Sequence, residues 1–212
     1  MLFVTSSSRP EAGGGEDGED TAPLPTPDKE PKPKLLQGIN ANTNLGDKDI
    51  EEIKVKYQTL PHAEDGKLEF DQIKSHLPAD LNPAQEQYMK KVYEMSISGG
   101  NFKEEDFVSV YSLSKKISTL NGTPLEAFNT LDETKLEGII AKFGELFETV
   151  DRQQTGRITI TSLREILNNA LESDAMTSIL DIIIPVIDPE NEGSVGKLDY
   201  LAFVPYFLSL VP

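Results

Sequence analysis

Apolar residues recur every three or four positions in several stretches of this chain. The spacing predicts amphipathic helices over 49–60, 83–95 and 135–150. Their apolar positions are Ile50, Ile53, Tyr57 and Leu60, then Tyr88, Val92 and Met95, then Leu136, Ile139, Ile140, Phe143, Leu146, Phe147 and Val150. Thr130 and Glu133 predict a capping box for the third helix. Because strand signals are confined to KLEF, RITI and GSVG, we predict an all-α fold with very short β pieces.

Residues 1–46 show no such pattern. The segment EAGGGEDGEDTAPLPTPDKEPKPK combines glycine, proline and charge with almost nothing to bury. Such a segment cannot offset its own ordering entropy, so we predict a disordered tail. Its proline-rich part favours an extended spacer geometry, and it is either a docking arm or simply solvated.

Each short β piece accompanies a glycine, and the pattern repeats between helical runs. Alignment on a glycine with an apolar residue two places later gives four copies: AEDGKLEFDQI, SGGNFKEEDF, QQTGRITITSL and NEGSVGKLDY. The fourth copy lies in the most acidic loop of the series, DPENEGSVGKLDY. A carboxylate at nearly every second place there suggests a cage for a cation.

This repeat resembles the EF-hand superfamily, as a calmodulin-like protein with four hands, over roughly residues 48–208. The resemblance implies two pairs of hands, at 47–121 and 131–212, joined by a linker at 122–130. It also implies a short β bridge between the two loops of each pair. In this family a twelve-residue loop offers oxygen ligands from positions 1, 3, 5, 7, 9 and 12, with glycine at position 6.

The fourth loop, residues 188–199, fits this scheme best. The resemblance places Asp188, Glu190, Glu192, Ser194 and Asp199 at ligand positions 1, 3, 5, 7 and 12, with Ser194 contributing its backbone carbonyl. Long glutamates at positions 3 and 5 crowd the cage, and aspartate at position 12 removes an oxygen. We therefore expect at most one site, for Ca²⁺ with Mg²⁺ as the alternative.

The other three loops are expected to bind no metal. Loop three begins at Asp151 but closes with Ser162, and one carboxylate cannot compensate a divalent cation. The first loop, 61–72, lacks carboxylates at its main ligand positions, and the second, 96–106, is one residue short. We expect these hands to serve packing, with Ile158 of loop three bridging to Val195 of loop four.

Charge narrows the classes of partner. The 212 residues include 36 Asp plus Glu against 20 Lys plus Arg, a net charge of −16. With no basic stripe to release counterions, nucleic acid and anionic membranes are unfavourable partners. A cation or a basic protein segment suits this charge better. There is no cysteine, which rules out disulfides and thiolate sites.

No targeting or membrane segment is predicted. The first residues lack the charged and apolar regions of a signal peptide, and the longest apolar run, 179–187, is broken by Asp181 and Pro185. We expect a cytoplasmic protein without membrane insertion.

Function is expected to rest on protein–protein binding. One hypothesis is a regulatory or adaptor module that binds an amphipathic or basic helix, with loop four as its cation site. The alternative is a metal-independent structural adaptor resembling a myosin light chain. With two histidines and no catalytic motif, we expect no enzyme, and no catalytic or cofactor-binding residues.

Overall fold

Helices account for most of the chain that can be described. The computed structural model describes residues 35–36, 39, 45–61, 68–78, 80–97, 102–122, 132–171, 176–188 and 191–209. The helices are α1 (Asp47–Gln58), α2 (Phe70–Lys74), α3 (Pro83–Ile97), α4 (Glu104–Ser118), α5 (Glu133–Val150), α6 (Ile160–Leu171), α7 (Met176–Ile187) and α8 (Lys197–Ser209). The two strands are β1 (Arg157–Thr159) and β2 (Ser194–Gly196). A mostly helical fold with tiny β pieces is thus confirmed.

The two strands form one antiparallel sheet. Ile158 pairs with Val195, with Arg157 opposite Gly196 and Thr159 opposite Ser194. The predicted bridge between Ile158 and Val195 is confirmed, and both side chains are buried. The corresponding residues of the first two copies, Leu68 and Phe102, are also buried, but residues 62–67 and 98–101 lie outside the described chain.

Helices from both halves of the chain share one core. The described residues belong to one compact unit, Lys32–Pro212, in which α4 packs on α8 and α3 packs on α5. Helix α8 is buried on nearly every side. Its buried apolar side chains are Leu198, Tyr200, Leu201, Ala202, Phe203 and Val204. A helix that is apolar all round belongs in the interior of a larger domain, which is where α8 lies.

The compact unit begins earlier in the chain than the predicted boundary at residue 47. Leu36, Ile39 and Leu45 are buried, and Leu35 packs against Gly144 of α5. The sequence prediction had placed these residues in the tail. Residues 1–34 lie outside the described chain, as do most of the predicted linker residues, 123–130.

Helix α5 begins on a different cap from the predicted one. Asp132 accepts a 3.0 Å hydrogen bond from the backbone N–H of Thr134, the geometry of an N-cap. The hydrogen bonds at this carboxylate lower the pKa of Asp132 below its ordinary value. The predicted cap, Thr130, lies outside the described residues. Among the helices described, none is long and apolar enough to cross a membrane.

Candidate functional site

Two loops of the same local geometry face each other at the sheet. In the first, which follows α5, Asp151 Oδ1 accepts from the N–H of Thr155 at 2.9 Å and Oδ2 from the N–H of Gly156 at 2.6 Å. In the second, which follows α7, Asp188 Oδ1 accepts from the N–H of Glu192 at 2.8 Å. Its Oδ2 accepts from the N–H of Gly193 at 2.7 Å. Each loop is therefore folded around its first aspartate.

The backbone angles of the two loops also match. Gly156 and Gly193 both have φ of 73°, while Gln154 has φ of 53° and Asn191 has φ of 56°. Glycine reaches this left-handed region without the Cβ clash that other residues meet. In these two copies the glycine is therefore required by a turn at the same loop position.

Hydrogen bonds across the sheet join the two loops into one unit. The N–H of Ile160 donates to Gly193 O at 3.0 Å, and the N–H of Lys197 donates to Gly156 O at 2.9 Å. With the strand pairing of Ile158 and Val195 between them, the backbone polar groups at the centre of the pair are satisfied internally.

The five predicted metal ligands do not share one role. Asp188 is 7% exposed and holds the loop as described above. Glu192 and Ser194 face an arginine from the opposite strand, and Asp199 faces a lysine from α4. Glu190 lies outside the described residues.

Arg157 is the cation beside Glu192. Its Nη2 lies 2.6 Å from Glu192 Oε2 and donates to Ser194 Oγ at 2.8 Å, while its Nε donates to the same oxygen at 3.1 Å. The guanidinium thus binds the side chains at two of the predicted ligand positions. A planar fork of donors with a permanent charge suits such a pair of oxygen acceptors.

Lys116 is the cation beside Asp199. Its Nζ lies 2.7 Å from Asp199 Oδ1, and the two side chains are only 24% and 11% exposed. Oδ1 is buried and the contact is an ion pair that is not aligned as a hydrogen bond. Because carboxylates are almost never this buried unless they are paired, Lys116 compensates a charge that solvent reaches poorly.

A third cation lies where the sheet meets α8. Lys197 is 2% exposed, and its Nζ lies 2.6 Å from Glu148 Oε1 on α5 and 5.9 Å from the centre of the Phe147 ring. This buried lysine is compensated by an ion pair and a favourable ring face.

Sequence reasoning missed all three cations. Arg157 could have been found from the sequence, because it is next to Ile158. The predicted pairing of Ile158 with Val195 therefore places Arg157 beside loop four. No comparable signal existed for Lys116, because its contact depends on how α4 packs on α8.

The described oxygen donors of loop four are not gathered into one group. Within the described ranges, no three Asp, Glu or His side chains come together as a group that could hold a metal. Two of the four carboxylates of loop four already face protein cations, and divalent ions need several free oxygens at one point.

Most of the large apolar side chains described in the last four helices are packed in the core. The Tyr88 hydroxyl of α3 donates to Leu201 O of α8 at 2.7 Å, and Tyr200 donates to Phe143 O at 2.9 Å, both in buried surroundings. Phe143, Phe147, Ile183 and Phe203 are core residues, while the Phe207 side chain is not described. Burial raises the pKa of both tyrosines.

Comparisons with known proteins returned no relatives. No family model matches the chain, and searches of curated proteins and of solved structures found no significant match.

Proposed function

We propose that this chain is an EF-hand-type adaptor that acts by binding another protein. The observation that carries the proposal is the repeated loop geometry: Asp151 and Asp188 organise two loops in the same way, and Ile158 and Val195 pair between them. That is the arrangement which the EF-hand resemblance implies for the two loops of one pair.

A metal-independent adaptor is favoured over a cation-regulated one. Glu192 and Asp199, two of the oxygen donors that a regulatory cation would need, are paired with Arg157 and Lys116. Moreover, the helices that open in a cation sensor are here packed against α3 and α4 of the same chain. A signal that relied on opening would have to break this packing.

The second candidate is a module regulated by Ca²⁺ or Mg²⁺ at Asp188, Glu190, Glu192, Ser194 and Asp199. It is supported by the left-handed turn at Gly193, which the family uses at this loop position. Under either proposal the chain has no catalytic role, and we place it in the cytoplasm.

The proposed partner is a basic or amphipathic helix, and the support is electrostatic. A net charge of −16 attracts basic segments and repels acidic ones. We also propose that neither nucleic acid nor an anionic membrane surface is a partner, because both carry charge of the same sign as this chain.

Binding of a defined peptide tests the proposal. The probe is a labelled helix-forming peptide of leucine and lysine, with leucines at i, i+3, i+4 and i+7, followed by fluorescence anisotropy. The matched control is a peptide of the same composition with its leucines spread around the helix, which has the same charge but no apolar face. Each titration is run with a chelator and again with excess Ca²⁺.

An adaptor should bind the amphipathic peptide more tightly than the control, with equal affinity in chelator and in Ca²⁺. Binding that requires Ca²⁺ would support the regulatory candidate. Equal binding of both peptides, or of neither, would reject an amphipathic helix as the partner.

A further inference from the structure

We propose that loop four (residues 188–199) uses Arg157 and Lys116 as built-in counter-ions in place of a divalent metal. The inference deepens the proposed adaptor function, since it takes the loop assignment from there, and it names what stabilises the loop. Its support comes from two contacts, one in the middle of the loop and one at its end.

The first contact is made across the sheet. Arg157 lies on β1, and its guanidinium contacts Glu192 Oε2 at 2.6 Å and Ser194 Oγ at 2.8 Å. These residues stand at loop positions 5 and 7 of the proposed hand. The positive charge of Arg157 on β1 therefore lies beside side-chain oxygens of loop four.

The second contact reaches the end of the loop from the other half of the chain. Lys116 lies on α4, and its ammonium is 2.7 Å from Asp199 Oδ1, at loop position 12. Because both side chains are mostly shielded from solvent, this pair is less screened by salt than a surface ion pair. Lys116 also ties the closing residue of loop four to a helix of the first half.

The backbone conformation of loop four is set by hydrogen bonds within the loop. Loop three (residues 151–162) has the same aspartate-to-amide hydrogen bonds and the same glycine φ, although Asp151 is its single carboxylate ligand candidate. The fold of these loops is therefore set by hydrogen bonds to the first aspartate. What loop four adds is negative charge, and Arg157 and Lys116 supply the compensating positive charge.

A divalent ion would have to compete with both cations. It would displace Arg157 from the Glu192 carboxylate, and it would leave Lys116 facing a like charge. Ser194 would offer its backbone carbonyl, so the contact of Arg157 with Ser194 Oγ does not itself compete with the ion. Removal of the two side-chain charges should therefore weaken the loop and expose a latent cation site.

Calorimetric titration of the metal-stripped full chain with Ca²⁺ tests this, using Arg157→Gln, Lys116→Gln and the double variant. We expect the double variant to bind Ca²⁺ at least about tenfold more tightly than the wild type, with the single variants between them. The matched control is Arg164→Gln, which removes an arginine from an ion pair with Asp181 at 3.2 Å between α6 and α7, outside the loops. It should bind Ca²⁺ as the wild type does.

Thermal unfolding followed by circular dichroism gives a second readout. Without Ca²⁺ the double variant should melt below the wild type, and Ca²⁺ should raise its melting temperature while leaving that of the wild type unchanged. Arg157→Lys, which keeps the charge, should melt closer to the wild type than Arg157→Gln. A double variant that folds only when Ca²⁺ is added would also support the proposal.

Two results would overturn it: a wild type that binds Ca²⁺ as tightly as the double variant, or variants that melt like the wild type in chelator. Neither depends on peptide binding. A chain that fails to bind the amphipathic peptide but behaves as expected here would reject the adaptor and keep the internal counter-ions.

Discussion

The hydroxyl of Tyr88 donates a 2.7 Å hydrogen bond to the backbone carbonyl of Leu201, a residue 113 positions away. In a regular helix that carbonyl would accept from the residue four places later, which here is Pro205 and has no N–H. Tyr88 of α3 therefore satisfies the acceptor that the proline of α8 leaves without its helical donor. The bond lies in the core between the two halves, where an unsatisfied carbonyl would be costly.

Replacement of Tyr88 by phenylalanine should lower the free energy of unfolding by about 1–3 kcal/mol, because it leaves the buried Leu201 carbonyl without a donor. Guanidinium-induced unfolding measures the loss. In a Pro205→Ala background the new N–H can bond to Leu201 O, so the same substitution should cost less. Equal costs in the two backgrounds would mean that Tyr88 and Pro205 act independently.

Gly144 and Gly138 lie on the same helix, α5, and differ in what surrounds them. A Cβ at Gly138 would meet no atom within 4 Å, whereas one at Gly144 would lie 3.0 Å from Leu35 Cδ1. Gly138→Ala should therefore raise the free energy of unfolding by about 0.5–1 kcal/mol. Gly144→Ala should raise the free energy of unfolding by less than Gly138→Ala, or lower it, in the same experiment.

The contact with Leu35 can be tested by the same pair of glycines. In a Leu35→Ala background the obstruction at Gly144 is removed, and Gly144→Ala should recover part of the helix-propensity gain. The effect of Gly138→Ala should be the same in both backgrounds. If Gly144→Ala remains as much less stabilising than Gly138→Ala in the Leu35→Ala background, Leu35 does not pack on α5 at Gly144.

Gly193 has φ of 73° and open space where a Cβ would lie, so a substitution there meets backbone strain without a clash. Gly193→Ala should cost about 1–2 kcal/mol. Gly193→Asn should cost less, since asparagine tolerates this region, as Asn191 does at φ of 56°. Thermal melts of both variants check the order, and an alanine variant as stable as the asparagine variant would contradict it.

Alkaline conditions should destabilise the fold through buried tyrosines. Burial, with a smaller contribution from the charge of Glu69, raises the pKa of Tyr93 to about 12. An unfolded tyrosine titrates near pH 10. The folded state therefore keeps a proton that the unfolded state loses, so the stabilisation is complete below about pH 10 and declines as the pH rises toward 12.

Denaturation midpoints at a series of pH values between 9 and 12 measure this decline. Burial raises the pKa of Tyr88 and Tyr200 as well, so all three tyrosines should ionise only as the protein unfolds. Tyrosinate absorbance in a pH titration reports that step directly. Tyr93→Phe should flatten the pH dependence, and an unchanged slope would show that other groups control it.

Features that depend on near neighbours could be predicted from the sequence. The apolar faces of 49–60, 83–95 and 135–150 follow from helical spacing, and helices cover each segment in whole or nearly so. The glycine of each loop and the bridge between Ile158 and Val195 follow from a repeat that is visible in the letters. These rules act over a few residues, so composition and order along the chain are enough to state them.

Tertiary packing decided the contacts between distant segments. It brought Lys116 to Asp199, Tyr88 to Leu201, and Leu35 to Gly144. Read from the sequence, Asp199 was a candidate metal ligand, because no local partner explains it. The contacts of Asp199 and of the Leu201 carbonyl depend on which helices lie beside α8: α4 supplies Lys116 and α3 supplies Tyr88. A buried carboxylate, or a carbonyl without its helical donor, takes its partner from whichever helix packs against it.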